Sequence, residues 1–175
     1  MVKMDAEKIF IGSVAADWKN EAKRQNLIEH TERVVALCEK FACKFSNEVE
    51  RQLLIDAAWL HDIAKHQAGS EHNRPKEVKK ALKKIEPKIE EEKELDNITE
   101  IILAHRKAFN PRSHVLESAI LRICDKLDKF AKGQIDAEKK CKKSMKKIKK
   151  KLAPDKYEIL NDLYEKELKK WVKEK

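Results

Sequence analysis

The chain has 175 residues, 41% of them charged, with a formal net charge of +9 and only three Gly and four Pro. That length fills one domain with a real core, and so few turn residues exclude an architecture of strands and tight turns. The four cysteines, Cys38, Cys43, Cys124 and Cys141, form no C-x-x-C pair, which excludes a zinc knuckle or disulfide framework and suits a reducing, cytoplasmic setting.

The opening "MVKMDAEKIFIGSVAADW" is interrupted by Asp5, Glu7 and Lys8, so it lacks the apolar run of a signal peptide. No segment approaches the roughly 20 apolar residues of a membrane span. A short helix is expected over about residues 4–14 and a second from Asp17, followed by a long one through "LIEHTERVVALCEKFACKF". The long helix has an apolar stripe at Val34, Cys38, Phe41 and Phe45, which His30 extends back by one turn. Ser46 or Asn47 is expected to end this helix and cap the next, with Glu50 in the first turn. That next helix carries Leu53, Leu54, Ala57, Ala58 and Leu60 into His61 and Asp62.

After "HQAGSEHNRP", Pro75 suits the first turn of a helix running to about Ile85. A helix over about residues 92–107 has the stripe Leu95, Ile98, Ile101 and Ile102, and His105 continues it. The loop "AFNPRSH" opens a helix to about Phe130, striped by Leu116, Ile120, Ile123 and Leu127, with Asp125 at the stripe's edge. The remainder reads as a helical hairpin. One arm has Ile135, Cys141, Met145, Ile148 and Leu152, "APD" interrupts it, and the other arm has Leu160, Tyr164, Leu168 and Trp171.

Charge divides the chain at the same place. From Lys132 onward there are 16 lysines against 8 acidic residues, a net of +8, whereas residues 1–131 are nearly neutral at +1. The expected organisation is an all-α domain over residues 1–132 and a Lys-rich hairpin over residues 133–175 packed on it. The lysines surround an apolar stripe, which describes a docked helix with a solvated outer face better than a nucleic-acid surface. The hairpin's stripe would serve a homodimer as well as its own core.

His30, His61, Asp62, His105 and Asp125 therefore fall on inward-facing positions of four helices. One buried polar residue is usually a hydrogen-bonded core residue; five drawn together ask for a common partner, and a metal ion supplies one. Imidazole nitrogens with carboxylate oxygens suit Mn, Fe, Co, Ni, Mg or Zn. Adjacent residues diverge by about 100° on a helix, so His61 and Asp62 reach one ion only at a helix end.

The order His30, then "HD" at 61 and 62, then Asp125 in "ILRICDKLDKF" resembles the HD superfamily of metal-dependent phosphohydrolases. The words "HTERVVALCEKFA", "AAWLHDIAK" and "ITEIILAHRKAF" resemble it too, and the likeness covers about residues 25–132. The resemblance implies a helical bundle in which His30, His61, Asp62 and Asp125 ligate a primary divalent ion. His72 and His105 occupy the place in the order where two-metal members hold a second ion, so one or two ions per chain are expected. His72 beside Glu71 reads equally as a loop histidine.

Lys65, three residues after Asp62, stands where some members carry a glutamate. It matches the "HD-x-x-K" form, in which the lysine acts on the substrate phosphate, so Asp62 and Lys65 are the expected catalytic pair. Arg33, Arg106 and Arg122 flank the ligand positions as candidate phosphate contacts or salt-bridge partners. The implied activity is metal-activated hydrolysis of a small phosphorylated substrate, a nucleotide phosphomonoesterase. The alternatives are a two-metal phosphodiesterase or pyrophosphohydrolase, and a nucleic-acid or protein interaction module on the same scaffold.

Overall fold

The computed structural model describes residues 5–17, 20–65, 75–84, 92–106 and 109–173, and among these residues there are eight α-helices and no strand. They are α1 (Ala6–Asp17), α2 (Glu21–Ala42), α3 (Arg51–Leu60), α4 (Pro75–Lys83), α5 (Glu92–Ala104), α6 (Val115–Ala131), α7 (Ala137–Lys149) and α8 (Pro154–Lys173). No described helix is long and apolar enough to cross a membrane.

Packing centres on α3, which touches α1, α2, α5 and α6. Ala57 and Ala58 are fully buried there, and such small side chains let neighbouring helices come close. The stripes expected on α2, α5 and α6 are the buried faces: Val34, Cys38 and Phe41; Ile98, Ile101 and Ile102; Ile120, Ile123 and Leu127. The helix α7 lies along α6 through Cys141, Met145 and Ile148, and α8 adds Leu160 and Tyr164 to the same core. Lys139, Lys142, Lys143 and Lys146 remain exposed on α7, away from its buried stripe. Lys40 of α2 pairs with buried Glu167 of α8, tying the last helix back to the second.

Four sequence expectations change. A single helix, α1, runs to Asp17, and the expected second and long helices are one, because Asn20 accepts from the Lys23 N–H and caps α2. Ser46 opens a single 3₁₀ turn, Ser46–Glu48; α3 starts only at Arg51, and Glu50 has no side-chain cap bond there. Instead, the Glu50 N–H donates to the Glu117 carboxylate of α6 at 2.8 Å. The helix α5 ends at Ala104, so His105 sits in the turn after it. Ile135 precedes α7 and is 87% exposed, off the apolar stripe.

A glycine closes α6. Gly133 takes φ +68°, its N–H donates to the Phe130 carbonyl, and the Gln134 N–H donates to the Lys129 carbonyl. This is a Schellman cap, and a Cβ at Gly133 would strain it. It stops α6 one turn after Asp128.

Candidate metal centre

The helix α3 ends at Leu60, and residues 61–64 form turns closed by the Ile63 N–H to the Leu60 carbonyl and the Lys65 N–H to the Asp62 carbonyl. Side chains that diverge along a helix can converge here. His61, 1% exposed, and Asp62, 5% exposed, meet His30 from α2, and the ligand atoms of these three lie within 4.8 Å of one another. Asp125 of α6 completes the group: its Oδ1 is 3.4 Å from His30 Nε2 and 3.9 Å from His61 Nε2. Asp62 Oδ2 lies 3.7 Å and 3.5 Å from the same two nitrogens.

Each histidine is oriented through its other ring nitrogen. His61 Nδ1–H donates to the Ala58 carbonyl at 2.6 Å, and His105 Nδ1–H donates to the Ile102 carbonyl. His30 Nδ1–H donates to Asp128 Oδ2 at 2.7 Å, since an ionised carboxylate only accepts. The Nε2 atoms of His30 and His61 are thereby aimed into the centre. Both are buried and have no hydrogen-bond partner among the described residues. Buried polar atoms rarely go unpaired, and two lone-pair donors converging on two carboxylates are a donor set that fits a divalent ion.

Electrostatics agree with that donor set. Burial, with His30 nearby, pushes the His61 pKa down to about 4, so its imidazole is neutral at ordinary pH. Burial likewise holds His105 well below the usual range. His30 moves the other way: burial opposes it, but the Asp125 and Asp128 carboxylates raise it above the ordinary value. Asp62 and Asp125 stay ionised although burial opposes them. His61, Lys65 and Lys129 hold Asp62 low, and Lys129 and Lys126 hold Asp125 low.

Three further side chains at the centre lie outside the sequence-derived set. Asp128 links His30 to Arg33, whose Nε donates to Asp128 Oδ1 at 2.6 Å and whose Nη2 donates to Oδ2 at 3.3 Å. Lys126 and Lys129 each place Nζ 2.5 Å from an Asp125 oxygen. Asp128 follows Asp125 by three residues, so helical spacing puts it on the same face; that was the available signal. Such outer carboxylates typically contribute 10–100-fold to metal affinity. Asp128→Asn is therefore expected to weaken metal binding by about tenfold, and Asp128→Ala by about a hundredfold, in competition with a chelating dye.

The remaining expected residues separate. Lys65 is part-exposed, with Nζ 3.3 Å from Asp62 Oδ2. The His105 ring stands edge-on to His61 with centroids 5.6 Å apart, beside the cluster. His72 lies outside the described residues. Arg33 lines the cleft over the centre but is engaged by Asp128. Arg106 donates to the His61 carbonyl at 2.8 Å, fixing the ligand-bearing turn. Arg122 is 4% exposed, stacks over Phe109, and donates to the His105 and Arg106 carbonyls, so it braces that turn.

A helical bundle that gathers two buried histidine nitrogens and two buried aspartates from three different segments offers a donor set that could hold a metal ion. The chain belongs to the HD domain family, whose model matches residues 27–129, more than half its length, and that family includes metal-dependent hydrolases that bind divalent ions. The match runs from the residue before Ile28 on α2 to Lys129 and so encloses every residue of the cluster. No curated protein and no solved structure matches the chain.

Proposed function

We propose that this protein is a metal-dependent phosphohydrolase that releases phosphate from a small phosphorylated substrate, a nucleotide phosphomonoester. The observation that carries this reading is the pair of unpartnered, buried Nε2 atoms facing Asp62 and Asp125, with His30 lining a cationic cleft. His30, His61, Asp62 and Asp125 would hold the ion. A divalent ion there supplies Lewis acidity, lowering the pKa of water and polarising a phosphoryl oxygen.

The chain's own groups do the rest. Lys65 Nζ, at the rim beside Asp62, offers its hydrogen bonds to the equatorial oxygens of the phosphoryl group and offsets charge that grows in the transition state. Lys129 brings a second cation to the same cleft. Arg106 and Arg122 keep the two turns that carry His61 and His105 in register by binding their carbonyls. The P–O bond to the substrate breaks, water supplies the new P–O bond, and the departing oxygen leaves protonated as an alcohol.

The His105 ring packed against His61 supports a second reading, a two-ion phosphodiesterase or pyrophosphohydrolase. One experiment separates them. Metal per chain is measured by elemental analysis on protein purified without chelators, and phosphate release is followed from adenosine 5′-monophosphate and from bis(p-nitrophenyl) phosphate. One ion with release from the monoester supports the proposal. Two ions with release only from the diester favours the second reading, and neither metal nor turnover sinks both.

A further inference from the structure

The cleft over the metal centre carries more cations than one phosphate needs. Its walls hold Lys23, Arg33, Lys65, Lys129 and Lys132 around a space of about 550 Å³, against the carboxylates of Glu29 and Asp128. Three of the five are engaged at the centre itself: Arg33 with Asp128, Lys65 with Asp62, and Lys129 with Asp125. Lys23 and Lys132 are different. Both are exposed, and neither forms an ion pair with a described residue.

Their positions are not arbitrary. Lys23 precedes His30 by seven residues on α2, and Lys132 follows Asp125 by seven at the C-cap of α6. Seven residues are two helical turns, so each lysine shares a face with a member of the metal cluster and stands about 10 Å along its helix from it. That displacement exceeds the reach of a single phosphoryl group at the ion. The neutral amides of Asn26 and Gln134 line the same stretch of cleft, and the Schellman cap at Gly133 presents Gln134 there.

We propose that Lys23 and Lys132 form a second anion subsite, which receives a phosphate of the substrate other than the one removed. The ligand class is a doubly phosphorylated small molecule, its second phosphate either in anhydride linkage to the first or on another hydroxyl. The inference rests on the hydrolase reading for which phosphate is cleaved, but the subsite itself is a binding property. A general basic field would not do the same: the exposed Lys143 and Lys146 line an adjoining groove on α7 that meets the cleft at Gln134 but includes no metal-cluster residue.

The test compares the metal-loaded wild type with two charge-matched variants, Lys23→Ala/Lys132→Ala and Lys143→Ala/Lys146→Ala. Calorimetry at constant free metal measures binding of adenosine 5′-monophosphate, adenosine 3′,5′-bisphosphate and adenosine 5′-diphosphate, and kcat/KM is measured on all three. The wild type should prefer at least one doubly phosphorylated ligand by about tenfold, and which of the two it is identifies the linkage. The cleft variant should lose most of that preference, chiefly in KM, while the α7 variant keeps it. Equal affinity for mono- and doubly phosphorylated ligands, or equal losses in both variants, overturns the subsite. A preference that persists without turnover of any ligand upholds the subsite and sinks the hydrolase reading instead.

Discussion

Asp62→Asn protein should keep its helices, bind no divalent ion and release phosphate about a thousandfold more slowly than the wild type. Asn has the size of Asp and still accepts a hydrogen bond, so the turn at residues 61–64 need not repack. What it lacks is charge. Asp62 is ionised although burial pushes the other way, and at ordinary pH, where His61 is neutral, Lys65 and Lys129 are the cations that favour its charge. Two buried carboxylates beside each other, Asp62 and Asp125, are tolerated at a cost that an ion would offset. Removing one should therefore cost little fold stability in chelator, since Lys65 is part-exposed and can turn to solvent. Circular dichroism, elemental analysis and phosphate release check the three parts. Stoichiometric metal with full turnover in Asp62→Asn would remove Asp62 from the centre.

The residues that were legible from sequence share one property. His30, His61, Asp62, His105 and Asp125 interrupt or edge apolar stripes, and local periodicity alone places such positions inward. Asp128 shares their face but sits in "DKLDKF", where alternating charges read as solvent exposure; its role depends on His30 arriving from another helix. Lys126 and Lys129 were hidden for the same reason. Arg106 and Arg122 offered only their charge to the reading, and charge suggested phosphate. Their acceptors are backbone carbonyls, one of them 45 residues away, which no residue pattern announces. The helix starts failed differently. Asn20 and Asp17 are both cap formers, and only the chain path chooses between them. Ile135 lies six residues before Cys141, a spacing that falls about 120° off the stripe, and it precedes the first turn of α7, so neither period nor boundary places it in the core.

Metal binding should raise the melting temperature, and the gain should shrink as pH falls. At a hundred times Kd, a ligand bound only by the folded state stabilises by about 2.7 kcal/mol, or about 5–10 °C for a domain of this size. Protons compete for the same lone pairs. His30 has a pKa raised above the ordinary 6.5, so below that value an ion must displace its proton and affinity falls about tenfold per pH unit. His61, depressed to about 4, adds no competition until pH approaches that value. The metal-free protein responds with opposite signs at the two histidines. The unfolded chain protonates His61 near 6.5 while the folded chain does not, so stability drops from there toward pH 4. Raised His30 contributes stability that is complete below 6.5 and is lost as pH rises through its folded pKa. The metal-induced gain is thus largest on the alkaline side, where the metal-free protein has lost the His30 contribution and the ion meets no proton. Melting curves with and without metal across pH 5–9 test this, and a gain that does not vary with pH would exclude His30 as a ligand.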